Sequence, residues 1–140
     1  MENKTDFITE WYSSKEGSRL LALGLDVTLG KDAALGKLTD IRGEIDKGVL
    51  GSIRYFRDSR GDFMGTRNNV PRVVVGVSQE AVEELARLWT LGKKKELSEH
   101  PVQRALVEQI YAQLLAMHDY AKSKGKKEVA EAYLPAISIL

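Results

Sequence analysis

The sequence predicts a helix-dominated α+β fold in a single domain spanning residues 1–140, and three patterns carry that reading. Apolar residues alternate strictly from Leu21 to Leu29, the mark of a half-buried strand. Val73, Val74 and Val75 form a β-branched run that packs well on a pleated surface. Further segments space their apolar residues by three and four, the repeat of an amphipathic helix. An all-α fold is the alternative, because Ile53 and Phe56 also suit a helix.

At the start of the chain Thr5 can cap a short helix carrying Phe7, Ile8 and Trp11. In the strand at 21–29, Leu21, Leu23, Leu25, Val27 and Leu29 are expected to face inward, with Ala22, Gly24, Asp26 and Thr28 outward. The period then changes. Leu35, Leu38, Ile41 and Ile45 predict a helix over 32–47 that ends near Gly48, with Arg42 and Asp46 paired on its exposed side. The turn-rich SRGD and NNVP segments suggest a small antiparallel sheet, whose strands lie near 21–29, 52–58 and 72–77.

Ser78 caps a helix over 79–91, with Val82, Leu85, Leu88 and Trp89 as its inner face and Gly92 as its end. GKKKELSEH reads as a basic linker. Pro101 suits the first turn of a long helix over 101–124, roughly 35 Å in length. Val107, Ile110, Leu114, Met117 and Ala121 form its core seam, and Ala105, Ala112 and Ala116 a second face of small residues. After Gly125, a last helix over 127–134 runs into Pro135.

Composition narrows the function classes. A chain of 140 residues buries roughly two thirds of its unfolded surface, and 43% hydrophobic against 29% charged residues is the balance of a folded domain. Cysteine is absent, which excludes disulfides, thiolate metal sites and a cysteine nucleophile and favours the cytoplasm. No stretch reads as a signal peptide or membrane span. A net charge of +1 excludes a strong global field, but residues 51–72 carry +3 and residues 93–127 carry +4.

No motif carries catalysis. LALGLDVTLGKDAALGKLT has the order of a phosphate loop, but Gly30 and Gly36 are spaced by one residue too many and Leu38 stands where a hydroxyl is needed. His118 has no carboxylate at its three- and four-residue neighbours, and His100 reads as part of a helix start. No catalytic residue, metal ligand or cofactor is expected.

One feature stands above background. Arg54, Arg57, Arg60, Arg67 and Arg72 are interleaved with Tyr55, Phe56 and Phe63, a mixture suited to phosphates and unpaired bases. Lys93, Lys94, Lys95 and Lys126 would extend this footprint if they shared its side. The resulting expectation is a non-enzymatic binding or regulatory protein whose arginine-rich hairpin at 54–72 meets nucleic acid or an anionic protein surface. The alternatives are an enzyme of unrecognised type and an assembly subunit that docks on a protein partner or on itself. An assembly subunit would use Ala105, Ala112 and Ala116 and the apolar tail from Tyr133 to Leu140.

Overall fold

The computed structural model describes residues 7–13, 17–57, 60–61 and 63–139, with side chains described outside 7–13, 17–22, 31, 53–57 and 63–67. Its first element is a strand, β1 (Phe7–Ser13), where the apolar spacing predicted a helix. FITEWYS is rich in aromatic and β-branched residues, and its backbone pairs antiparallel with β2 (Gly17–Thr28) from Phe7↔Leu25 to Ser13↔Gly17.

α1 (Lys31–Lys47) follows and stops as its glycine dictates. Gly48 adopts φ 78°, its N–H donates to Ile45 O at 2.9 Å, and the Val49 N–H reaches Glu44 O at 3.3 Å, a double closure that satisfies two orphan carbonyls. Arg42 and Asp46 meet through a third group: Arg42 Nε donates to the Tyr120 hydroxyl at 3.3 Å, and that hydroxyl donates to Asp46 at 2.5 Å. The bond to Tyr120 raises the Arg42 pKa, with the nearby Asp46 charge acting in the same direction.

β3 (Ile53–Arg57) and β4 (Phe63–Arg67) form a separate antiparallel hairpin, and β5 (Arg72–Gly76) joins β2 in parallel, Gly24↔Arg72 to Thr28↔Gly76. The single antiparallel sheet expected from the sequence is therefore corrected. The larger sheet is mixed, in the order β1-β2-β5, and the 52–58 strand lies outside it. The physical reason is visible in β5. Arg72, Val73, Val74 and Val75 are all buried, so both faces of the strand are covered, as parallel strands require, and α1 lies on the crossover that parallel pairing needs.

α2 (Gln79–Thr90) starts as predicted, with Ser78 Oγ accepting from the Ala81 N–H at 3.1 Å. The basic linker contains one more short helix, α3 (Lys94–Ser98). α4 (Pro101–Ser123) is capped by His100, whose Nδ1 accepts from the Val102 N–H at 3.1 Å. α5 (Lys127–Ile139) continues through Pro135 instead of ending before it. Proline removes the bond to Glu131, but both residues lie on the exposed side, while Tyr133 and Ala136 on the other side are buried and hold the helix to the core.

The core gathers Ile41 and Ile45 of α1, Val73 and Val74 of β5, Leu114 and Ala121 of α4, and Val129 and Tyr133 of α5. One edge of β5 faces α4 and not another strand. Gln113 accepts from the Val74 N–H at 2.9 Å and donates to Val74 O at 2.6 Å; Gln109 does the same for Gly76 at 3.0 and 3.1 Å. Two side-chain amides thus imitate a neighbouring strand and close the edge.

Candidate functional site

The alternation of β2 places Asp26 opposite to expectation: Asp26 and Thr28 are buried, while Val27 and Leu29 are exposed. The buried carboxylate is met by two cations. Lys37 Nζ of α1 lies 3.8 Å from Asp26 Oδ1, and Arg72 Nε of β5 lies 3.7 Å from Oδ2. Arg72 also donates through Nη1 to Glu44 Oε1 at 3.3 Å. One guanidinium therefore joins β5, β2 and α1. Taking these ions out of water costs several kcal/mol each, which their mutual attraction offsets only while the set is complete.

Tyr133 of α5 completes the surroundings. Its hydroxyl is buried with no hydrogen-bond partner among the described residues, as are Thr28 Oγ1, Glu44 Oε2 and Arg72 Nε. Burial pushes the phenol pKa up, and the Glu44 charge pushes the same way against a smaller opposing effect of Arg72. Above roughly pH 10 the unfolded chain releases this proton while the folded chain keeps it. The unfolded state then binds fewer protons, so this contribution to stability is full below that pH and falls as pH rises. Tyr133→Phe is expected to raise stability by about 1 kcal/mol at neutral pH and to flatten the alkaline limb of a urea-midpoint profile. An alkaline limb as steep as in the parent would contradict it.

The residues expected to form an anionic-partner surface divide. Arg72 is a correction: at 4% exposure, with its charge engaged by Asp26 and Glu44, it belongs to the interior. Arg60 is exposed, whereas the side chains of Arg54, Arg57 and Arg67 lie outside the described residues. Lys126 is half-buried, its aliphatic stem against Gly48 with Cδ at 3.4 Å from where a Cβ would be, so its cation lies at the negative end of α1. Lys93, Lys94 and Lys95 are exposed and adjacent at the α2–α3 elbow.

Trp89 stands beside them. Its indole was expected on the inner face of α2, but it is 74% exposed. Leu88 is the residue of that helix that is buried, and one helical position is enough to turn its neighbour outward. Trp89 lines a recess of about 90 Å³ with Leu88, Gly92, Lys93, Lys94 and Leu97. The elbow is shaped by Gly92, at φ 67°, and by the Lys93 N–H donating to Leu88 O at 3.0 Å. Of the acids nearby, Glu84 is held by Arg87 in a two-pronged pair at 2.7 and 3.1 Å, and those bonds lower its pKa. The signal for Trp89 in the sequence was its position one residue before the end of α2 and four before the lysine run.

α4 presents Ala105, Ala112 and Ala116 to solvent, and beside them Val107, Tyr111 and Leu115. The apolar tail is divided: Tyr133 and Ala136 are buried in the chain's own core, whereas Leu134 is exposed. His118 has no carboxylate three or four residues away but meets the adjacent one: Nδ1 lies 3.1 Å from Asp119 Oδ1. It lines a pocket of about 260 Å³ with Lys122, Gly125, Lys127, Ala130 and Glu131, and among the described residues that lining offers no hydroxyl for the imidazole to activate. In the segment with the order of a phosphate loop, Lys37 lies against Asp26 and Gly36 sits within α1.

Among the described residues no group of three or more histidine or acidic side chains could hold a metal ion, and no helix is long and apolar enough to cross a membrane. The chain is a small helix-dominated α+β domain with a mixed sheet, an interior ion cluster and two exposed helical surfaces. No family model matches it, and neither a curated protein nor a solved structure does.

Proposed function

We propose that this chain is a contact-acting binding protein whose α2–α3 elbow engages single-stranded nucleic acid. The observation that carries the reading is an indole 74% exposed at the end of α2, followed across the elbow by three exposed lysines at the start of α3. An exposed indole is free to stack on an unpaired base, an interaction of about 1–3 kcal/mol that tolerates any sequence. Lysines supply point charges to the phosphates on either side. The modest net charge of +1 suits local attraction at this elbow better than capture by a global field.

Binding of a fluorescent oligothymidylate, followed by anisotropy across a salt series, tests the proposal. Neutralising about three phosphates of a single strand gives a slope near −2 in log affinity against log salt. Trp89→Ala is expected to weaken binding about tenfold or more while changing stability by less than about 0.5 kcal/mol, since the side chain is largely in water. Replacing Lys93, Lys94 and Lys95 by alanine should weaken binding and flatten the salt slope. Affinity that ignores both salt and Trp89 would sink the reading.

A further inference from the structure

The recess beside Trp89 is apolar where the rest of the elbow is charged. Leu88, at 4% exposure, and the half-buried Leu97 form its floor, while the exposed Trp89, Gly92, Lys93 and Lys94 form its rim. Its backbone donors are already spent. The Gly92 N–H donates to Trp89 O at 3.1 Å, and the N–H groups of Lys93, Lys94 and Leu97 donate to Leu88 O, Gly92 O and Lys93 O, each at 3.0 Å. Among the described residues no carboxylate, hydroxyl or amide side chain lines the recess. A group seated there meets carbon below it and two ammonium groups at the rim.

Stacking on an indole accepts any base, so discrimination between bases has to come from this floor. The C5–C6 edge of a pyrimidine is all carbon, and in thymine it carries a methyl group. Every edge of a purine presents a ring nitrogen or an exocyclic polar group, which would lose its water here and find no backbone donor. Size acts in the same direction. A recess of about 90 Å³ has the room of about three waters at roughly 30 Å³ each, enough for one edge of a single ring but not for a fused pair.

From this lining we infer that the recess is a thymine subsite. The C5 methyl group points at Leu88 and Leu97, the face of the base lies along the Trp89 indole, and its hydrogen-bonding edge stays in water. Lys93 and Lys94 meet the flanking phosphates. The inference rests on the single-strand reading of the elbow and adds a base preference to it.

Oligothymidylate and oligodeoxyuridylate of one length differ only in that methyl group, so they isolate the floor from charge and stacking. Anisotropy titrations of the full chain should show oligothymidylate binding about three- to fourfold tighter, the worth of one buried methyl. Strands that are abasic except for one central base remove stacking between neighbours. With these, thymine should bind tighter than uracil, and uracil tighter than adenine. Leu97→Phe fills the recess and should bring the thymine-to-uracil ratio to about one without changing the salt slope. Since Leu97 also packs α3, a second readout uses the unsubstituted chain: the amide resonances of Gly92 and Leu97 should move further with the thymine strand than with the uracil strand. Equal affinity for both strands, with the dependence on salt and Trp89 intact, would overturn the subsite and leave the single-strand reading standing. Binding of no strand at all would remove both. An acidic peptide bearing one phenylalanine that binds where no strand does would also overturn both and give the recess to a protein partner.

Discussion

Replacing Arg72 by alanine is expected to cost about 3–5 kcal/mol, a large part of the roughly 5–15 kcal/mol that holds a domain of this kind together. The loss comes less from the bonds removed than from what they leave behind. Asp26 is fully buried, with Lys37 also near it at 3.8 Å, and Glu44 would lose the donor it meets at 3.3 Å. Two carboxylates would then sit in a low-dielectric interior with their compensation reduced.

Replacing the set together is expected to behave differently. Asp26→Leu, Glu44→Met and Arg72→Met in one chain remove both the charges and their desolvation cost, so stability should return to within about 2 kcal/mol of the parent. Urea unfolding of the single and triple variants decides the matter. A single variant that loses less than about 1 kcal/mol would show that the cluster contributes little to holding β2, α1 and β5 together.

Gln113→Ala carries the second large effect, expected at about 2–5 kcal/mol, because it strips both partners from the backbone of Val74 at a buried position. Gln109→Ala should cost less, since Gly76 is exposed and water can replace the amide. Gln113→Glu isolates the two halves of the bond: it keeps an acceptor for the Val74 N–H but sets a negative oxygen against Val74 O. Amide hydrogen exchange reads the result residue by residue. Protection at Val74 should fall in Gln113→Ala and survive in Gln109→Ala, and unchanged protection in both would refute the strand-imitating role. Loss of the cap also opens a strand edge, so the Gln113 variant should aggregate more readily.

How much of this was legible depended on the range of the forces involved. The ends of α1 and α4 were readable because glycines at Gly48 and Gly125, with φ of 78° and 71°, close a helix through bonds to residues a few positions back. The start of α2 at Ser78 was readable for the same reason. β1 was misread as helix because three apolar residues in seven fit two periods, and only its pairing with β2 decides between them. The strand at β4 was hidden, since FMGTR carries one glycine and no clear alternation.

The binding surfaces divide in the same way. Lys93, Lys94 and Lys95 were identified because a charge run at a helix end is exposed almost wherever the helix packs. Trp89 and Arg72 were assigned to the wrong sides, the aromatic inward and the cation outward, by the ordinary preferences of their side chains. Both assignments failed where a neighbour distant in sequence altered the balance. Asp26 and Glu44 repay part of Arg72's desolvation, whereas Leu88 takes the buried position that Trp89 would otherwise fill.

Alone, the sequence determined the helix-rich α+β class, the absence of thiol chemistry, the position of most helix ends and the basic character of two segments, all properties set by composition or by interactions spanning one helical turn. Tertiary structure decided that β5 runs parallel to β2, that Asp26 and Thr28 of β2 are interior while Val27 is exposed, that α4 caps a sheet edge with glutamines, and which aromatic meets solvent. Periodicity states how often a side faces one way but not which way. That direction is set by the area another element can cover and by the charges it brings.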